Sequence, residues 1–375
     1  MGEFIMVGCD LHDATMLLKV AVGRQAAETL SVRNTRAARS RMIAGLLERA
    51  QDAGGAQVIF AYEASGQGFG LHDELTDAGI ECHVLAPTKI ARSLQHKREK
   101  TDEKDAEQIL QLLRAHVLAG NPLPDVWIPD LQTRDDREVV RARLDAAEKV
   151  AAVKAQIQGL LKRNRQTPPE GVKGRWTKSY GAWLRGLAAN PTVGKGMRTT
   201  LASLVRQLTF LDEEIERLEM ALGNLVESPR YAAAIPRLVR LQGVGVLTAL
   251  VFLTEVGDLQ RFRNRRQVSA YLGLVPRSYE SGAQQDRKGH ITRQGPARVR
   301  RVLCQAAWSR IREDRDDHVA YQRIADKNPK HKKIAVVAMM RRLAVQMWHR
   351  GRQTLPEARS SGDGRRTTAP APAGG

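Results

Sequence analysis

The chain has 375 residues, with 60 Lys and Arg against 41 Asp and Glu, a formal charge of +19. That length predicts two or three domains with apolar material for more than one core, and that charge points to a phosphate-bearing partner, nucleic acid before a membrane surface. Cys9, Cys82 and Cys304 stand far apart without a Cys-x-x-Cys pair, no apolar run approaches membrane-spanning length and no signal-peptide pattern opens the chain; zinc module, disulfide framework and membrane partner are thereby disfavoured, and a cytoplasmic protein is expected, with Met6 as an alternative start.

Phe4 to Cys9 is a short apolar run, read as a buried strand that ends at Asp10. Thr15 to Val22 and Thr29 to Arg33 fit the next strands of a meander, and Arg36 to Ala53 has helical spacing through Ile43, Leu46, Leu47 and Ala50. Gln57 to Tyr62 reads as a second buried strand, ending at Glu63. Gly66, Gly68 and Gly70 then loosen the backbone before a helix through Leu75, and Ile80 to Leu85 makes another strand. The order is α/β with a partly antiparallel sheet.

Asp102 and Asp105 stand three apart at the start of an apolar-periodic run from Ala106 to Leu113, on one face of a helix's first turn, with Thr101 as N-cap. Acids favour helix N-termini whatever their role, so this pair alone is also open to a structural reading. The strands add to it, because ligand sites in open α/β sheets lie outside the carboxyl ends of strands, where Asp10 and Glu63 sit. Together the four acids suit Mg²⁺, which takes a few carboxylate oxygens plus phosphate oxygens, in a two-metal arrangement for phosphoryl transfer. Lys89, Arg92, Lys97, Arg98, Lys100 and Lys104 would surround that site and suit a DNA or RNA backbone.

Asp10 after its strand, Tyr62-Glu63-Ala64-Ser65-Gly66, and Lys100-Thr101-Asp102-x-x-Asp105-Ala106 resemble the RuvC-like domain of the DEDD insertion-sequence transposases, relatives of the pilin-gene invertases. The resemblance implies a ribonuclease H-like fold for that domain.

From Arg134 to Asn164 a highly charged stretch carries apolar residues at Val140, Leu144, Val150, Val153, Ile157 and Leu160, a long amphipathic helix. Gln166 through Gly186 reads as a loop, with Lys173, Arg175, Lys178 and Arg185 interleaved with Trp176, Tyr180 and Trp183. Such a mixture either holds a backbone and stacks unpaired bases, or pins a loop onto a helical pair. Leu201, Leu204, Leu208, Leu211, Ile215, Leu218, Leu222 and Leu225 form a heptad seam. It closes on the Arg134 helix or joins chains; the Ala-containing seam of the first helix is the poorer partner, so a homo-oligomer, dimer or tetramer, is expected.

Pro229 and Pro236 end this arm. Ile235 to Leu250 reads as helix, Gly243-Val-Gly245 turn, helix, a helix-hairpin-helix pattern whose glycines either admit a phosphate to backbone N–H groups or serve the packing of the two helices. Arg261, Arg263, Arg265 and Arg266 follow. Between residues 277 and 301 there are seven Lys or Arg, namely Arg277, Arg287, Lys288, Arg293, Arg298, Arg300 and Arg301, against Glu280 and Asp286. A serine beside a glycine in such a segment is by composition a turn residue, yet nearby guanidinium groups can position a scissile phosphate. Helices are expected over 306–324 and 332–348, the second with a basic start at Lys330 to Lys333, and residues beyond Leu355 are low-complexity and disordered.

Pro276-x-x-Tyr279-x-Ser281-Gly282, then Lys288-Gly289-His290-Ile291-Thr292-Arg293-x-Gly295 and Arg298 to Arg301, resemble the second signature of the same family, with Glu280 where a second serine is common. The resemblance spans residues 5 to 350 with a less specific middle third. It implies that Ser281 links covalently to DNA, that the acidic site lies against it across a subunit interface, and that a structured non-coding RNA selects donor and target, as in RNA-guided bridge recombinases. The expected organisation is a RuvC-like α/β domain over 1–130, a helical coiled-coil region over 131–228, a mostly helical transposase domain with a helix-hairpin-helix-like element over 229–355, and a tail over 356–375. The expected function is a site-specific DNA recombinase using Mg²⁺. A metal-dependent structure-selective nuclease and a non-catalytic nucleic-acid scaffold stay open as alternatives.

Overall fold

The computed structural model describes residues 4–90, 101–278, 288–327 and 329–353. They fall into two compact units, one ending at Ile128 and the other beginning at Pro129.

In the first unit β1 (Phe4–Leu11), β2 (Thr15–Val22) and β3 (Glu28–Arg33) form an antiparallel meander. α1 (Arg36–Asp52), capped by the Thr35 side chain, returns the chain to β4 (Gln57–Glu63), which is parallel to β1; α2 (Gly70–Asp77) then leads to β5 (Glu81–Leu85), parallel to β4. The sheet order is β3-β2-β1-β4-β5. β1 and β4 are covered on both faces, which is why each reads as an unbroken apolar run. Alternation sends Ile5, Val7 and Cys9 of β1 and Val58, Phe60 and Tyr62 of β4 to a core shared with Leu46 and Leu75. On the other face Met6, Ile59 and Ala61 meet Ile109, Leu110 and Leu113 of α3 (Asp102–Ala119). Gly8 lies under that helix. A Cβ there would stand 2.4 Å from the Leu110 nitrogen and 2.5 Å from the Ala106 oxygen, so the helix rests on the strand's bare backbone.

In the second unit α4 (Leu131–Arg163) and α6 (Lys195–Glu227) pack antiparallel: Val140 and Leu144 share a core with Leu222, whereas Val153, Ile157 and Leu160 share another with Met197, Leu201 and Leu204. At 33 residues each, they are about 50 Å long. The leucine seam therefore meets the chain's own α4, and Leu201, Leu204 and Leu222 are buried there, so the expected joining of chains through the whole seam is corrected for these three. Leu208, Leu211, Ile215 and Leu218 are half-buried. α5 (Lys178–Ala189) is a helix that begins inside the stretch read as a loop and runs three residues past it; Thr177 caps it, accepting from the Tyr180 nitrogen, and Tyr180, Leu184 and Leu187 supply the buried face that Gly181 and Gly186 disguise.

The remaining elements are α7 (Ile235–Val239), α8 (Val246–Val256), α9 (Arg265–Tyr271), the paired strands β6 (Pro276–Ser278) and β7 (Lys288–Ile291), α10 (Ala297–Glu313), α11 (Arg315–Asp326) and α12 (Lys333–Gly351). α8 is buried from Ala249 to Val256 and forms the centre of this core. The expected helix over 306–324 is two helices, broken where the Asp314 side chain turns to cap α11 by accepting from the Asp317 nitrogen at 2.9 Å. Asp317 is itself buried between Arg310 and Arg342, tying α10, α11 and α12 together. Because Val140, Leu144 and Leu222 lie in one core with α8, α10 and α12, the expected boundary at 228–229 falls inside a single compact unit.

Candidate functional site

β1 and β4 end side by side. Their parallel register pairs Cys9 with Tyr62, so the next residues, Asp10 and Glu63, are neighbours, and alternation places both on the face that α3 covers. α3 begins over those strand ends: the Thr101 hydroxyl accepts from the Lys104 nitrogen at 3.3 Å, and Asp102 and Asp105 follow, Asp105 buried. The first turn is held from the sheet. Lys19, opposite Gly8 on β2, puts Nζ 2.5 Å from Glu103 Oε1 and 2.7 Å from Thr29 Oγ1.

His12 joins the strand to the helix, with Nε2 3.0 Å from Asp10 Oδ2 and 3.4 Å from Asp102 Oδ1. Among the described residues, Asp10, His12 and Asp102 form a group with metal-ligand spacing, one donor atom of each lying within 4.8 Å of the others. Glu63 and Asp105 flank this group without entering it. His12 was not foreseen from the sequence, although its place two residues past Asp10 was a signal. Burial lifts the Asp10 pKa above the usual carboxylate range; His12 opposes this, while Asp105 and Asp102 add repulsion. For His12, burial disfavours the charged ring, but Asp10 and Asp102 outweigh it and raise its pKa.

The basic residues divide by what they touch. Arg98, Lys100, Arg287 and the serine position Ser281 lie outside the described residues, as do Arg92 and Lys97. Lys104, Arg175 and Lys178 are exposed. Trp176 packs on the arm's core with its ring 5.3 Å from Tyr180 and with Lys154 Nζ 5.3 Å from its centroid, and its φ of 66° is a conformation that bulky residues rarely adopt. Gly243 has φ 78°, and a Cβ there would meet the Ala306 oxygen at 2.6 Å, so it serves the seating of the turn on α10; Gly245, at the N-cap of α8, faces open space.

β6 and β7 pair antiparallel, with Pro276 opposite Ile291 and Ser278 opposite Lys288, and Ser281 falls between them in the sequence. Arg277 donates to the Thr292 oxygen, and Arg293 is exposed. Arg300 donates to the carbonyl oxygens of Leu272, Gln294 and Gly295, which closes the base of the strand pair. Arg298 is bonded to Asp145 on α4 at 3.0 Å, and Arg301 pairs with Glu148. The Arg261 guanidinium lies over the rings of both Phe262 and Tyr271, which also pack against each other. Arg263, Arg265 and Arg266, by contrast, are exposed and form no ion pair among the described residues.

Comparison with known proteins assigns both halves of the chain to one family. Residues 7–165 match the DEDD transposase family typified by IS110, and residues 236–322 match the transposase IS116/IS110/IS902 family. The chain belongs to the IS110 family of transposases. The first match takes in the four acids of this IS110-family chain, and the second takes in Ser281. Among individual relatives, y4qE of Sinorhizobium fredii, named as a transposase, is 33% identical over 67% of this chain and 58% of its own length. A second protein of that organism, y4rJ, is 29% identical over 77% of this chain and 76% of its own. The transposase for insertion sequence element IS1533 of Leptospira borgpetersenii is 26% identical over 67% and 70% respectively.

Proposed function

We propose that this IS110-family protein is the site-specific DNA recombinase of an insertion sequence, cutting and rejoining donor and target DNA as a homo-oligomer under the direction of a structured guide RNA. The observation that carries the reading is the convergence of Asp10 and Asp102 over adjoining strand ends, inside the span that matches the DEDD family. The mixed sheet with a helix laid across its acidic end supports a ribonuclease H-like assignment. Asp10, Glu63, Asp102 and Asp105 would hold Mg²⁺, and their oxygen donors fit a hard divalent cation. Bound there, the ion supplies charge compensation at the attacking and leaving oxygens of a phosphodiester.

The chain's own chemistry would be carried by Ser281. Its Oγ attacks phosphorus and gives up its proton, the Oγ–P bond forms as a P–O bond to deoxyribose breaks, and the departing oxygen takes up a proton. The phosphoserine ester conserves the bond, so rejoining needs no nucleotide cofactor. Exposed Arg263, Arg265, Arg266, Arg277 and Arg293 supply a surface for a phosphate backbone. Support for the guide RNA is the motif resemblance together with the +19 charge. No helix among the described residues is long and apolar enough to cross a membrane.

The test is a nicked suicide substrate that loses its leaving strand. Wild-type protein with Mg²⁺ should become covalently bound to DNA, with the adduct mapping to Ser281. Ser281→Ala should bind DNA without forming it, and Asp102→Asn should lose it as well. An adduct that survives Ser281→Ala overturns the nucleophile; cutting by Ser281→Ala with release of free ends favours a metal-dependent nuclease instead.

A further inference from the structure

His12 presents the atom on which both aspartates converge, Nε2, at 3.0 Å from Asp10 and 3.4 Å from Asp102. Its side chain is 45% exposed, so core packing does not explain it. Its main chain is nevertheless fixed on both sides: its N–H donates to the Thr15 oxygen at 2.9 Å, and its carbonyl accepts from Asn34 Nδ2 at 2.8 Å. The ring therefore projects from a fixed point just past the end of β1.

We propose that His12 is itself a ligand, through Nε2, of the cation that Asp10 and Asp102 hold, and that this mixed nitrogen-and-oxygen donor set favours Mn²⁺, Co²⁺ or Zn²⁺ over Mg²⁺. The inference rests on the reading of these acids as a divalent-cation site. Carboxylates and water satisfy Mg²⁺, whereas imidazole suits first-row transition ions. The geometry needs little adjustment. Ligand distances of about 2.0–2.2 Å leave two donors of one ion at most about 4.4 Å apart, against the 4.8 Å that already encloses the three donor atoms. To bind an ion, Nε2 would have to be free of a proton, and any proton it carried would pass to solvent.

The experiment uses the full chain loaded with Mn²⁺ and reads ¹⁴N coupling by electron spin-echo envelope modulation, with calorimetric titrations of Mn²⁺, Co²⁺ and Mg²⁺. Wild type should show ¹⁴N coupling, and His12→Gln should lose it. The same variant should bind Mn²⁺ and Co²⁺ at least about tenfold more weakly, in the range seen when even an outer partner of a metal ligand is removed, while its Mg²⁺ affinity changes little. Mn²⁺ that binds in an Asp10-dependent manner without ¹⁴N coupling in wild type overturns the ligand assignment, as does an equal loss of Mg²⁺ and Mn²⁺ affinity in His12→Gln. If wild type binds no Mn²⁺, or binds it equally well as Asp10→Asn and Asp102→Asn variants, the underlying cation site fails, and the proposal falls with it.

Discussion

His83 shows how a single side chain can make one edge of the first unit depend on pH. It sits on edge strand β5 with Nε2 3.1 Å from Glu81 and Nδ1 3.2 Å from Asp125, and its ring lies edge-on to His116. Burial alone would depress its pKa, but the two carboxylates outweigh this and raise it to about 9. A raised pKa contributes stability that is fully present below the unfolded value of about 6.5 and lost as pH climbs through the folded value. Denaturant midpoints should therefore fall between pH 6.5 and 9, and His83→Gln should flatten that slope; an unchanged slope would place the titration elsewhere. The placement of the four acids, two at strand ends and two in the first turn of α3, was legible in the sequence because a strand's end and a helix's start are marked by pattern, apolar run and cap. The contacts of His83 with Asp125 and of His12 with Asp102 were not, since these partners are distant in the chain and no period announces a contact that only the fold creates.

α3 and β1 meet backbone to backbone at Gly8, and the seating of α3 over the strand ends depends on that contact. Gly8→Ala would drive a methyl into the Leu110 nitrogen and the Ala106 oxygen, backbone atoms that cannot swing aside. Overpacking of this kind costs about 1–3 kcal/mol. The variant should melt lower, and α3 should lift from β1, weakening cation binding at Asp10 and Asp102 although neither is altered; an unshifted melting temperature and cation affinity would show that the helix absorbs the methyl. The five strands of the first unit, α1, α4 and the seam of α6 were readable as apolar runs and periodicity, whereas the short pair β6 and β7 was not. α5 was hidden because glycines and tryptophans look like loop composition, and the break between α10 and α11 was hidden because a single Asp314 inside a charged, helix-like run does not by itself announce that its side chain caps the next helix at the Asp317 nitrogen.

Across the whole molecule, the arm formed by α4 and α6 separates the surface that closes on itself from the surface left outward. Phe210 and Met220 are 57% and 67% exposed on α6, away from the buried Leu204 and Leu222. If chains associate along this arm, Phe210→Asp with Met220→Asp should lower the mass seen in light scattering without loss of helicity. Leu211→Lys with Leu218→Lys should instead loosen the hairpin of a single chain. An undiminished mass in the first variant would exclude that face as the contact.

The pairs Arg298–Asp145 and Arg301–Glu148 bear on how nucleic-acid binding would register in a salt titration. Exposed ion pairs contribute only about 0–1 kcal/mol, so a phosphate can take the carboxylate's place cheaply. The phosphate that does so meets a cation whose charge was already compensated within the protein, and the displaced carboxylate then gathers ions of its own. Such an exchange sets little of the counterion atmosphere free, and these two arginines would be nearly silent in a plot of log affinity against log salt. Asp145→Asn with Glu148→Gln should make them audible, steepening the slope by about 0.9 for each arginine that reaches a phosphate, as read by fluorescence anisotropy over a range of KCl. An unchanged slope would mean that neither side chain touches the backbone of the nucleic acid.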